Sequence, residues 1–513
     1  MVLQANGDPS SWLQDVARRD PNRVFIETAT GQTLTYGETA ALCGRMAAAL
    51  VARGVRPGDR VVAQVEKSPE AVALYLACLS AGAVFVPLNT GYTAAELEYF
   101  LRDSEPSLVV GRPEQADLLR QLARRAGVKH VETLGEAGDG SFMELTRSQA
   151  DEWPATDSLD GSALAALLYT SGTTGRSKGA MLTRVNLASN AQTLASAWRF
   201  SERDVLLHAL PIFHVHGLFV AINTVLASGS SMLFLRKFAA DEVLRLLPRA
   251  SVMMGVPTFY TRLLKQPDLT AETTRNARLF VSGSAPLLPA THREFLERTG
   301  HAILERYGMS ETLMNASNPY DGERVPGSVG PPLPGVEVRI TDPESGALIR
   351  DPDAIGMIEV RGPNVFSGYW RMPEKTRAEF RPDGFFITGD LGRLDERGYL
   401  YIVGRGKDLI ISGGYNVYPI EVESELDALP GVLESAVIGL PHADFGEAVT
   451  AVVVPRPGAS LDEEEIRAAL GRRLARYKVP KRVLVASELP RNTMGKVQKA
   501  LLREEHRDLY RDS

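Results

Sequence analysis

The sequence predicts an α/β protein: a large N-terminal domain made of two α/β subdomains and a small β-barrel-like subdomain, followed by a smaller α+β C-terminal domain. Three observations carry this. Short apolar, strand-like runs alternate with helical segments as far as residue 307, which is the pattern of layered, largely parallel sheets. From about residue 325 to 400 the texture changes to short β-like runs between Gly and Pro turns, as in a small barrel-like unit. After Gly404-Arg405-Gly406-Lys407-Asp408 the chain starts a further set of strand and helix signals, placing a boundary between 1–406 and 407–513.

In chain order, 60–66 alternates like a strand, 69–81 has helical length and composition, and 83–87 reads as the next strand. The apolar run from Ala71 to Val86 is too short for a comfortable membrane span and is broken by Ser80 and Gly82, so a helix turning into a strand explains it. Further strands are predicted at 107–110, 163–168, 205–210, 231–235, 252–256 and 279–282, with helices at 184–198, 239–248 and 289–299. The β-rich section offers 336–341, 356–361 and 398–403. In the last section 437–440 and 449–454 read as strands. Residues 461–477 read as a helix that opens with acidic residues and ends on basic ones.

A length of 513 residues is too great for one core. The net charge of −6 gives no basic footprint, so nucleic acid is excluded as an expected partner. Cys43 and Cys78 are too few for a disulfide framework or a multi-cysteine metal site and read as buried thiols of a reducing cytoplasm. The N-terminus has neither the basic start nor the apolar core of a signal peptide, and no membrane insertion is expected.

The most informative stretch is Tyr169-Thr-Ser-Gly-Thr-Thr-Gly-Arg-Ser-Lys178-Gly179-Ala180, directly after the strand 163–168. Its glycines let backbone N–H groups converge on an anion, and its hydroxyls and lysine add donors and positive charge. That combination suits a polyphosphate, although the spacing is not that of a Walker loop. Five further motifs follow in order: Tyr307-Gly308-Met309-Ser310-Glu311-Thr312; Thr388-Gly389-Asp390; Gly404–Asp408; Gly413-Gly414-Tyr415-Asn416-Val417-Tyr418-Pro419; and Pro490-Arg491-Asn492-Thr493-Met494-Gly495-Lys496. Together they resemble the adenylate-forming superfamily of acyl-CoA synthetases, luciferases and peptide-synthetase adenylation domains.

The resemblance implies a role for each motif. Thr170, Ser171, Gly172, Thr173, Thr174, Gly175 and Lys178 would bind ATP, with Thr173, Thr174 and Lys178 on the β- and γ-phosphates. Ser284, Ala285, Tyr307, Gly308 and Met309 would complete that site, Tyr307 offering its ring to adenine. Glu311 would hold Mg²⁺, and Ser310, where Thr is the commoner residue, would offer its hydroxyl to the α-phosphate. Asp390 would accept from the ribose hydroxyls beside Arg405. Lys496 would stabilise the charge that develops as a carboxylate attacks the α-phosphate. The C-terminal domain would be mobile, turning about Lys407 so that coenzyme A can reach the acyl-adenylate past Gly413 and Gly414. A lysine acetyltransferase or deacetylase acting at Lys496 belongs to the same set of implied partners.

Four segments narrow the acid: 307–335, 210–218, 256–262 and 361–375 look like malonyl-CoA synthetases. Malonate keeps a second carboxylate charged, and burying it unpaired would cost several kcal/mol. A cation must therefore meet it, and arginine's planar fork suits the task. Arg262, on the helix after strand 252–256, is the candidate; the alternative is a surface arginine on an amphipathic helix. Arg293 is the next candidate, on a helix face that reads as exposed. Ser282, Gly283 and Met309 join the expected acid pocket. His214 and His216 alternate on what reads as an extended segment and so would face opposite sides, His214 either walling the pocket or simply packing. The expected reaction is ATP-dependent ligation of malonate, or methylmalonate, to coenzyme A with release of AMP and pyrophosphate. The alternatives are a ligase for a neutral short-chain acid and an enzyme that loads a carrier protein.

Overall fold

The computed structural model describes residues 8–151, 153, 160–170, 177–492 and 495–511. The chain divides into two compact units, Met1–Glu337 with Val360–Phe386, and Val338–Glu359 with Ile387–Ser513.

The first unit holds two sheets. One has eight strands, in the order Leu313–Ser317, Leu304–Met309, Leu279–Ser282, Val252–Gly255, Val205–His208, Ser231–Phe234, Val24–Thr28 and Thr33–Thr35. Its six inner strands run parallel and an antiparallel hairpin closes each end. The other has six strands, His130–Thr133, Leu108–Gly111, Arg60–Gln64, Val84–Pro87, Leu164–Thr170 and Lys178–Thr183, parallel except for the last pair. The strands Val84–Pro87, Leu108–Gly111, Val252–Gly255 and Leu279–Ser282 are buried along their length, as sheets covered on both faces require. The helix Pro69–Ser80, capped by Ser68, is buried throughout, so the longest apolar run is a core helix feeding the strand Val84–Pro87.

A five-stranded sheet follows, in the order Leu348–Ile349, Glu337–Thr341, Gly356–Arg361, Phe386–Leu394 and Leu400–Arg405. The barrel-like subdomain is corrected here: these strands form an open sheet, and its first strand, two residues long, is too short to pair back onto the last. The second unit also carries a sheet built on the long antiparallel pair Val432–His442 and Gly446–Pro455. The helices Pro419–Asp427 and Glu463–Gly471 pack on one face of it, and Leu489, Leu502 and Tyr510 on the other. The helix expected over 461–477 stops at Gly471, a residue that favours ending a helix over continuing it. Cys43 and Cys78 are buried free thiols. No helix among the described residues is long and apolar enough to cross a membrane.

Candidate active site

In parallel α/β sheets, ligand-binding groups gather at the carboxyl ends of the strands. In the first unit His208, Gly255, Ser282 and Met309 all occupy that position. Between them lies Arg306, on the strand Leu304–Met309 and only 4% exposed. Its guanidinium lies against Gly283: a Cβ built there would fall 2.4 Å from Arg306 Cζ. Arg306 Nε and Nη2 have no hydrogen-bond partner among the described residues, nor do the Ser282 hydroxyl and His216 Nε2 nearby. Burial pulls the guanidinium down to about 9, which still leaves it charged at neutral pH. A buried charge with unused donors is costly unless an anion meets it.

His214 and His216 do not alternate on a strand. A turn leads into a π-helical segment, His216–Ile222, and the His216 N–H donates to His214 Nδ1 at 3.2 Å. His216 is fully buried, its Nδ1 lies 3.2 Å from the Ser284 hydroxyl, and burial with the Arg306 charge holds it well below the usual histidine range. Ser284, expected on the nucleotide side, therefore turns its hydroxyl to this cluster. Behind it Lys67 Nζ meets His208 Nδ1 at 2.7 Å and the His208 carbonyl at 3.0 Å, while His208 Nε2 donates to the Gly217 carbonyl at 2.8 Å. Lys67 thus fixes the tautomer of His208, which in turn holds the start of the π-helical segment. Arg262 is exposed on the helix Pro257–Leu264, whose buried residues are Tyr260 and Leu263. Arg262 makes no side-chain hydrogen bond or ion pair among the described residues. Arg293 is also exposed.

The phosphate side begins where Thr170 pairs with Lys178 across the antiparallel strands Leu164–Thr170 and Lys178–Thr183. Ser171, Gly172, Thr173, Thr174 and Gly175 lie outside the described residues. Lys178 is buried beside Glu379, and Glu311 Oε1 lies 3.1 Å from the Tyr369 hydroxyl and accepts from Thr170 at 3.4 Å. Glu311 sits in the tight connection between Leu304–Met309 and Leu313–Ser317. A Cβ at Gly308 would fall 1.8 Å from the Leu313 carbonyl, so only glycine permits this crossing. Tyr307 is buried just before it, with Met309 and Ser310 half-buried beyond. Glu311 is a hard oxygen donor 6% exposed and flanked by two hydroxyls, a setting that fits Mg²⁺ shared with phosphates.

In the second unit Asp390 and Arg405 face each other across a hairpin and form an ion pair at 2.8 Å. Lys407 is exposed in the short 3-10 turn Gly406–Asp408, and Asp408 pairs with Arg503 at 2.7 Å. Lys496 is solvent-accessible, its N–H held by the Asn492 side chain at 3.0 Å. The surrounding protein and Arg405 pull its ammonium below the ordinary lysine value, with Asp390 and Asp408 opposing. Gly413 and Gly414, with φ of 59° and 80°, form the two-residue turn between Ile410–Ser412 and Tyr415–Val417, a geometry that favours glycine at both positions.

The sequence reading missed Arg306, Lys67, Tyr369 and Glu379. A charged pair, Glu305-Arg306, inside a strand of a buried sheet was the available signal.

The AMP-binding enzyme family matches residues 13–370, and its C-terminal domain matches 421–496. The crystal structure of ATP-bound MatB from Rhodopseudomonas palustris is 58% identical, covers 98% of this chain and 100% of that chain, and superposes with a TM-score of 0.95. A malonate–CoA ligase of Arabidopsis thaliana is 37% identical over 88% of this chain and 78% of its own length. A long-chain-fatty-acid–CoA ligase of Bacillus subtilis is 34% identical over 96% and 94%. On these matches and on its α/β architecture, the chain belongs to the AMP-binding enzyme family of adenylate-forming ligases.

Proposed function

We propose that this enzyme joins malonate to coenzyme A at the expense of ATP. Relatives named for malonate and for long-chain acids match at similar identity, so sequence similarity at that level does not choose the acid. The observation that carries the choice is Arg306, a buried guanidinium with two unused nitrogens beside the unused Ser282 hydroxyl and His216 Nε2. A neutral acyl chain would leave these groups unpaired, whereas a second carboxylate satisfies them. We assign this reading to Arg306 rather than to the exposed Arg262.

In the first half-reaction a carboxylate oxygen of malonate attacks the α-phosphorus and pyrophosphate leaves. Thr173, Thr174 and Lys178 hold the β- and γ-phosphates, Tyr307 faces adenine, Ser310 donates to the α-phosphate, and Asp390 with Arg405 takes the ribose. Magnesium on Glu311 would neutralise phosphate charge. Lys496 balances the charge gained in the transition state. In the second half-reaction the sulfur of coenzyme A attacks the acyl carbonyl and AMP leaves, after residues 407–513 turn about Lys407 and bring Gly413 and Gly414 to the pantetheine path. Acetylation of the accessible Lys496 would remove its charge and stop the first step. Two cysteines kept as buried thiols suit a cytoplasmic site for this chemistry.

Pyrophosphate release tests the reading. It should depend on malonate, with acetate and propionate poor substitutes, and malonyl-CoA should form only when coenzyme A is present. Faster release with propionate than with malonate would overturn it. Lys496→Ala should lose about 3–4 kcal/mol of transition-state stabilisation in adenylate formation, with ATP binding kept.

A further inference from the structure

Lys178 already has two partners inside the first unit. Its ammonium lies 3.5 Å from Glu379 Oε1 and 4.2 Å from the centre of the Tyr369 ring. The same carboxylate oxygen receives Lys375 at 2.7 Å, one turn earlier on the helix Pro373–Glu379. The other oxygen, Oε2, accepts from the Tyr369 hydroxyl at 2.7 Å. That hydroxyl also lies 3.1 Å from Glu311 Oε1, and with one proton it can donate to only one of the two carboxylates at a time. Burial, Glu311 and Glu379 push the Tyr369 phenol up, so it stays protonated. Burial works to raise the Glu379 carboxyl as well, but Lys375, Tyr369 and Lys178 outweigh it and hold the group below the usual glutamate value. Glu379 is therefore an anion at neutral pH.

We propose that Glu379 is a built-in counter-ion that competes with the phosphates of ATP for Lys178 and so sets the affinity for nucleotide. The proposal rests on the reading of Lys178 as a phosphate ligand. A buried ammonium needs an anionic partner, since stripping one from a buried pair is strongly unfavourable. Glu379 supplies that partner from within the chain. A phosphate that takes over Lys178 does not strand Glu379, because Lys375 and Tyr369 remain on it. The exchange still opposes binding: the ion pair is given up, and a fixed negative charge stays beside the incoming phosphates. Glu379 thus acts on the triphosphate and not on the nucleoside.

The test is calorimetric binding of magnesium-ATP and of adenosine to the wild type, Glu379→Gln, Glu379→Ala and Lys178→Met at one ionic strength. Both Glu379 variants should bind ATP more tightly, by roughly fivefold for Glu379→Gln, as expected for removing a partly screened like charge. Adenosine should bind all the proteins within about twofold of wild type, a difference under ~0.5 kcal/mol. Adenosine binding also reports that each variant is folded, and Glu379→Ala stands in if Glu379→Gln is not. Lys178→Met should weaken ATP by at least about tenfold, or ~1.4 kcal/mol. Unchanged or weaker ATP binding in the Glu379 variants, with Lys178→Met weakened, would overturn the role of Glu379 and leave that of Lys178 standing. Unchanged ATP binding in Lys178→Met would overturn the phosphate reading itself. Equal tightening of ATP and adenosine would overturn the proposal by showing that the effect does not pass through the phosphates.

Discussion

Two buried cationic centres of the first unit solve the same problem in opposite ways. Lys178 is met by Glu379 and an aromatic ring. Arg306 has bare nitrogens among the described residues, and its neighbours Ser282, His216 and, further back, His208 and Lys67 include no acid. The first centre is neutralised by the chain, so an arriving anion must compete for it. The second has its counter-charge left to the substrate. On the proposed assignments, the difference teaches where discrimination is placed: nucleotide binding is tempered by an internal rival, whereas acid binding is favoured only for an acid that brings a second charge.

The sharpest way to break this contrast is Arg306→Met. It should lower kcat/KM for malonate by about 3–5 kcal/mol, roughly a hundredfold to several thousandfold, because a buried pair loses one member. Propionate, with no second carboxylate, should be spared. Equal losses for both acids, measured side by side at one ionic strength, would make Arg306 a structural residue.

The basic cluster can be sharpened by pH. Burial, joined by Lys67, holds His208 well below the ordinary histidine value of 6.5, so the unfolded chain binds the proton more readily. Stability from this group is therefore present above about pH 6.5 and is lost as pH falls below it. Glu305, raised by burial to about 8, and Asp427, raised by burial to about 7, act in the opposite sense over the same range. They cancel when His208→Gln is compared with wild type. Between pH 6.5 and 5.5 the variant should lose less unfolding free energy than wild type by about 1 kcal/mol, read from denaturant midpoints. Parallel curves would mean that His208 does not titrate differently on folding.

The smallest effect is expected of Arg262→Ala. On an exposed helix face it should leave the malonate-to-propionate ratio within about threefold, under ~1 kcal/mol. A large fall in that ratio would return the charge-reading role to Arg262.

Much of the architecture was legible because local rules and global fold agree. Strand 279–282 and helix 289–299 have the predicted bounds, and Asp390 and Arg405, named side by side from their motifs, form an ion pair. Where the structure departs from the sequence reading, the reasons are physical. Arg262 follows a strand in sequence, but the helix turns Tyr260 and Leu263 inward and leaves the arginine outside. Arg306 is hidden because sequence gives the alternation of a strand without saying which face meets Ser282 and Gly283. The histidines were misread because a π-helical segment has neither of the two periods used to read patterns. Glu379 lies outside every motif, and only folding brings it to Lys178.

The contact between Arg306 and Gly283 also limits the order in which such a pocket could arise. With a methyl group at position 283 the guanidinium would have no room, so an arginine acquired first would be expelled from its place or would distort the strand end. A glycine acquired first costs only a small packing loss. On the proposed role of Arg306, dicarboxylate recognition here is a two-residue trait with a preferred sequence of changes: the space is opened first, and the charge enters it second.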